Sequence, residues 1–240
     1  MQSDRLISDE SQAINAIAKA DKDTVIILDF DETLLLRNST AEYLNNLRPR
    51  LLGFILLAVI KLIKPWKWLP KPLRGDKTRD WFLVVIPTIL LPWTLFRWQK
   101  KAKQLAKNYG NSKLITAVNN NDRSLIIFAS LGFEFVINPI LQQLPLKCLT
   151  ETDCQHDRLV SCRFWQGAKD RNQGKLLMMR EVLSEKAIAS AVVVTDSKDD
   201  FPLLQVVKYP CFVIWTQAKY IHPFQDFWLS SLINKLRNYI

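Results

Sequence analysis

The sequence predicts an α/β protein, a parallel sheet covered by helices on both sides and interrupted by one inserted helical cap. Three observations predict it. Short β-branched apolar runs recur at 24–29 (TVIILD), 124–129 (SLIIFA), 190–195 (SAVVVT) and 211–215 (CFVIW), the pattern of strands buried on both faces. The stretches between them are long enough for helices, and alternating strand and helix implies parallel pairing. Residues 41–113 break this rhythm with two apolar blocks, which places the core in 20–40 and 114–240 and the cap in 41–113. A chain of 240 residues with 48% hydrophobic content can bury one sizeable core and carry a smaller accessory domain.

In chain order, the N-terminal segment mixes acids into its first ten residues and has no apolar run, so it reads as no secretory signal and a cytoplasmic location follows. The first strand ends in DFDET. In the cap, the uncharged blocks 51–60 and 81–96 are 10 and 16 residues long, whereas a spanning helix needs about 20. Pro87 and Pro92 interrupt the second block. The second strand run leads into Ser130, a strand-like LVSCRFWQG leads to NQGK with Lys175 at a helix start, and the third strand run leads into TDSKDD. Residues 224–240 place Phe224, Phe227, Trp228, Leu232, Leu236 and Ile240 near one helical face, a helix that packs on the core, with His222 at its entry. Cys148, Cys154, Cys162 and Cys211 form no CxxC pair and read as reduced thiols; Cys154, His156 and Cys162 have spacings that fit no common structural zinc site.

Open parallel sheets bind ligands outside the C-terminal ends of their strands, and three of the four runs end there in polar groups. Side chains alternate along an extended segment, so Asp29 and Asp31 project to one site. Two such carboxylates can divide the work of phosphoryl transfer, one attacking phosphorus and the other protonating the leaving oxygen and then activating water. The transferred group must be held by charge. Ser130 supplies a hydroxyl donor, Lys175 a cation, and Asp196 and Asp200 hard oxygen ligands suited to Mg2+.

With these pieces in order, the chain resembles the haloacid dehalogenase (HAD) superfamily of phosphatases over residues 24–205, through DFDET, the strand ending in Ser130, Lys175 and TDSKDD. The resemblance implies a Rossmann-like core, an aspartyl-phosphate intermediate on Asp29, and Asp31 as acid/base. It implies Thr33, Ser130 and Lys175 as substrate-binding groups. It also implies magnesium held by Asp29, the Asp31 backbone carbonyl, Asp196 and Asp200. The family spacing GDSxxDxP selects Asp200, with Asp199 as the alternative. The chain departs from the pattern in carrying Glu32 and Thr195 where many relatives have glycine, and Leu131-Gly132 after Ser130 where proline is frequent. The placement of the cap resembles that of the phosphoserine phosphatase subgroup, and its apolar, basic character looks most like phosphatidylglycerophosphatase C, whose family acts on a membrane phospholipid precursor.

Charge placement bears on partners. Residues 41–113 hold fifteen Lys/Arg against Glu42, Asp76 and Asp80, a balance of +12 within a chain of net charge +10. One segment thus carries the whole basic excess, which points to an anionic partner. Five of the eight tryptophans lie in it, and KPWKWLPK presents Trp66 and Trp68 as candidate interfacial anchors. The expected partner is a phosphorylated small molecule or a phospholipid, with the cap peripheral on the inner membrane face. The alternatives are a solvated cap on a small-metabolite phosphatase, such as one for phosphoserine, and a non-catalytic relative that binds a phosphorylated ligand. No nucleic-acid module is recognisable.

Overall fold

A computed structural model describes residues 9–71, 73–121, 124–149 and 158–218. Five strands, β1 (Val25–Asp29), β2 (Leu125–Phe133), β3 (Leu159–Cys162), β4 (Val192–Thr195) and β5 (Tyr209–Phe212), form one sheet of order β3-β2-β1-β4-β5. Every pairing is parallel. β1 is buried at all five positions. Its side chains alternate between the faces: Ile26 and Leu28 enter one apolar cluster, and Val25 and Ile27 the other.

Helix α1 (Glu10–Lys19) precedes β1, and α2 (Ser39–Asn45), α3 (Arg50–Ile63), α4 (Arg79–Leu90), α5 (Trp93–Tyr109) and α6 (Ser112–Asn120) follow it before β2. α7 (Glu134–Leu141) follows β2; α8 (Gly167–Val182) and α9 (Glu185–Ser190) connect β3 to β4, and α10 (Phe201–Leu204) leads to β5. Ile17, Leu114 and Ile137 from α1, α6 and α7 cover one face of the sheet. Met179, Ile188 and Leu203 from α8, α9 and α10 cover the other.

The inserted segment is helical, as expected, but its apolar interior is not separate. Trp66, Phe82, Leu83 and Trp98 belong to the same cluster as Ile26 and Leu28 of β1. The Trp98 indole donates to the Val136 carbonyl at 2.9 Å, and Tyr43 and Thr88 share a hydrogen bond of 2.9 Å. The expected boundaries at 41 and 113 fall inside α2 and α6, and α1 shows that the core begins before residue 20, since Ala13 and Ile17 are fully buried. Hydrophobic burial joined the two parts because the cap's apolar blocks had the sheet face beside them to bury against.

Among the described residues no single helix is long and apolar enough to cross a membrane; the segments Asp76–Leu90 and Trp93–Tyr109 reach the required length only as a pair bent by 115°. The helix expected over 224–240, His222, Cys154 and His156 lie outside the described residues. Cys162 and Cys211 are buried and Cys148 is half-buried, and burial pushes the Cys162 thiol up to about 12.

Candidate active site

The chain runs from β1 outward through β2 to β3 and then crosses back to β4 on the other side of β1. That reversal opens a crevice at the strands' C-terminal edge. Register puts Asp29 opposite Ala129 and Leu28 opposite Val194, so Asp29 and Thr195 arrive at one level, with Ser130 one residue beyond on β2. Above them lies a cavity of about 780 Å³, floored by Asp29, Asp31, Ser130 and Lys175 and roofed from the cap by Lys61, Lys64, Trp66 and Arg79.

Asp29 is 6% exposed. Its Oδ1 accepts the Phe30 amide at 2.7 Å and lies 2.6 Å from Lys175 Nζ; Oδ2 accepts the Thr195 hydroxyl at 2.9 Å. Lys175 also reaches Asp200 Oδ2 at 2.6 Å. It follows Gly174, whose φ of 77° breaks α8 so that Lys175 opens a new helical segment, as expected from NQGK. Asp31 Oδ1 accepts the Ser39 amide at 2.5 Å, and its Oδ2 accepts the Ser130 hydroxyl at 3.4 Å. Ser130 in turn accepts the Gly132 amide at 3.0 Å. A β-carbon at Gly132 would sit 3.2 Å from Asp31 Oδ2 and 3.3 Å from Ser130 Oγ, so this close approach uses the missing side chain.

Negative charge outweighs positive here, and Lys175 is the one buried Lys or Arg among the described residues. Burial, partly opposed by Lys175, pushes Asp29 up to about 6. Burial together with the charges of Asp29 and Glu32 pushes Asp196 up to about 8, and burial with repulsion from Asp31 pushes Glu32 up to about 7. Asp31 is raised by burial, against the Ser39 hydrogen bond. Burial alone would lower the Lys175 ammonium, but attraction to Asp29 and Asp200 holds it above its ordinary value.

Several expectations about single residues change. Ser130 does not close β2, which continues to Phe133 with its register against β3 shifted between Ala129 and Phe133. Thr33 does not line the cavity: it is fully buried and its hydroxyl donates to Asp196 at 3.2 Å, positioning that carboxylate from below. Asp200 spends Oδ2 on Lys175 and on Thr195 at 2.5 Å, leaving Oδ1 buried without a partner, while Asp199 is exposed. Burial and the Lys175 contact thus distinguish Asp200 from its neighbour.

Other groups enter that the motifs did not single out. Glu32 has φ 61°, the left-handed region, at a cost of about 1–3 kcal/mol for a residue with a β-carbon; this is the physical reason glycine suits that position. Thr195 stands between two carboxylates with a single hydroxyl proton to donate. Arg171 of α8 ties core to cap, donating to the carbonyls of Leu131 and Lys77 and to Asp80 Oδ2 at 2.7 Å. The presence of Glu32 and Thr195 is plain in the sequence, but their contacts are long-range and carry no local signature.

Among the described residues no group of three His, Cys, Asp or Glu side chains stands arranged to hold a metal ion. The donor set nevertheless suits a hard divalent cation. It is all oxygen, it leaves Asp200 Oδ1 orphaned, and it crowds Asp29, Glu32 and Asp196 so that each carboxyl is raised. Magnesium typically takes only one or two carboxylates, completing its shell with water and phosphate oxygen. Comparison with models of known protein families matches none, and comparison with curated proteins finds no match.

Proposed function

We propose that this chain is a magnesium-dependent phosphomonoester hydrolase of the HAD type, working through an aspartyl phosphate on Asp29. The observation that carries this reading is the buried Asp29 carboxylate at a strand end, 2.6 Å from the buried Lys175 ammonium and open to a cavity that also holds Asp31 and Ser130.

In the reading, an Asp29 oxygen attacks phosphorus as the bond to the leaving oxygen breaks. Asp31, whose raised pKa favours the neutral acid, gives its proton to that oxygen. Asp31 then takes a proton from water, whose oxygen attacks phosphorus; the bond to Asp29 breaks and inorganic phosphate leaves. Ser130 and Lys175 hold the phosphoryl oxygens throughout, the positioning and electrostatic work that phosphoryl transfer requires. Asp29, Asp196 and the Asp31 carbonyl would hold magnesium, with Asp200 fixing Lys175 through Oδ2 and leaving Oδ1 for the cation's water shell. The bound cation supplies neutralisation of phosphoryl charge. A cavity of about 780 Å³ with Lys61, Lys64 and Arg79 in its roof favours a leaving group larger than an amino acid, and an anionic one.

The test is phosphate release from a panel of phosphomonoesters with and without magnesium, for wild type and Asp29→Asn. Turnover should require magnesium and vanish in the variant, and wild type quenched during turnover should carry a hydroxylamine-sensitive phosphate on the peptide containing Asp29. Turnover in excess EDTA, or retained in Asp29→Asn, would exclude the mechanism.

A further inference from the structure

The outer side of α3 is apolar at every exposed position from Leu51 to Ile63 except Lys61, which lines the cavity instead. Leu51, Leu52, Ile55, Val59, Leu62 and Ile63 are all exposed, Leu62 by 80%. A surface helix in water carries polar residues opposite its buried stripe. Here the buried stripe is Gly53, Leu57 and Ile60, and the opposite side is as apolar as the core. Two indole hydrogen bonds continue this face at both ends. Trp68 donates to the Ile63 carbonyl at 3.1 Å, and Trp93 to the Arg48 carbonyl at 2.5 Å, bringing in the α4–α5 corner with Leu90 and the 83%-exposed Phe96. The fourteen residues of α3 alone extend about 20 Å. Trp66, expected as an anchor, is not part of it: it is 5% exposed and packs beside Phe82.

Charge selects the occupant. Arg48, Arg50 and Arg97 crowd one end, where burial and mutual repulsion lower the Arg48 guanidinium, and exposed Lys64 and Lys67 flank the other. Of the three acids of 41–113, two are engaged elsewhere: Glu42 pairs with Lys101, and Asp80 with Arg79 and Arg171. A second copy of the chain would set this basic rim against itself. The remaining apolar segment, 224–240, carries Lys235 and Arg237 against Asp226, so its charge does not complement the rim either. We propose that the outer face of α3, with the α4–α5 corner, docks on the surface of an anionic phospholipid bilayer. It lies on the bilayer without crossing it, since Phe82, Leu83, Val84 and Val85 of α4 are committed to the protein interior. The proposal stands apart from the hydrolase reading, although Lys61 and Leu62 share a helical turn and so set the cavity mouth beside the docked face.

Flotation of the full chain with vesicles of phosphatidylcholine alone, and of phosphatidylcholine mixed with phosphatidylglycerol, tests it. Wild type should float with the mixed vesicles only, and high salt should release part of it, because salt screens charge but not apolar burial. Leu62→Glu and Phe96→Glu should each weaken binding about tenfold or more, the loss of one inserted apolar side chain. Both positions are exposed, so the thermal midpoint should hold; Leu62→Ser serves if it does not. Val182→Glu, at an exposed position of α8 away from this face, should bind as wild type does, and so should Asp29→Asn, which keeps docking separate from turnover. Wild type that ignores both vesicles, Glu variants that bind normally, or a self-association that Leu62→Glu dissolves would overturn the proposal, the last in favour of a second copy.

Discussion

Lys175 Nζ lies 2.6 Å from Asp200 Oδ2, in a pair whose side chains are 5% and 1% exposed, and the same ammonium reaches Asp29 at the same distance. Removing one partner of a buried ion pair strands the other, at about 3–5 kcal/mol. Lys175→Met should therefore lower the denaturant midpoint by that scale and abolish phosphate release. Lys175→Met combined with Asp200→Asn should recover part of the stability and none of the activity. A double variant no more stable than the single one would show that Asp200 is not what Lys175 neutralises.

Stability of the metal-free protein should fall as pH rises. Asp29, Glu32 and Asp196 have folded-state pKa values raised to about 6, about 7 and about 8. The folded state therefore keeps protons that the unfolded state gives up near pH 4. That contribution is full below the unfolded values and is lost as pH climbs through about 6 to 8. Thermal midpoints in EDTA should drop across this window, and magnesium should flatten the drop by binding the ionised carboxylates. A midpoint that rises from pH 6 to 8 in EDTA would contradict the crowding described for these groups.

Gly132→Ala places a methyl 2.7 Å from Ile137 Cδ1 and presses on Asp31 and Ser130. Overpacking of this kind costs about 1–3 kcal/mol. The expected outcome is a modest loss of stability with a larger loss of kcat, since the displaced groups are the proposed acid and the hydroxyl that donates to the phosphoryl oxygens. Unchanged kcat alongside reduced stability would separate Gly132 from the chemistry.

Thr195→Val removes the hydroxyl between Asp29 and Asp200 while keeping the shape. Two buried carboxylates then lose a donor, each such loss being worth about 1–3 kcal/mol. The pH at which kcat falls on the acid side should move up, because Asp29 ionises less readily without that hydrogen bond. Thr195→Ser should restore the wild-type profile. A profile identical in Val and wild type would mean that the hydroxyl is structural only.

The strands and the charged residues at their ends are legible in the sequence because both signals are local. VIILD and VVVT are apolar throughout because a central parallel strand is buried on both faces, and acids at their ends have nowhere to sit but the edge. Lys175 as a helix start is equally local, since Gly174 breaks the preceding turn. The C-terminal extension of β2 past Ser130 was not legible, because it depends on the distant β3 pairing Cys162 with Phe133.

What the sequence by itself determined is therefore the parallel α/β order, the DFDET strand exit, and an inserted segment carrying the basic and aromatic excess. Tertiary structure alone decided that Thr33 supports Asp196 instead of lining the cavity, that Asp200 and not Asp199 meets Lys175, and that Trp66 is interior while Trp68 is exposed. It also decided which of the cap's apolar residues stay in solvent. The reason is one of range. Burial on two faces and helix breaking leave a mark within a few residues, whereas Thr33 and Asp196 are 163 positions apart and meet only because β1 and β4 are neighbours in the sheet.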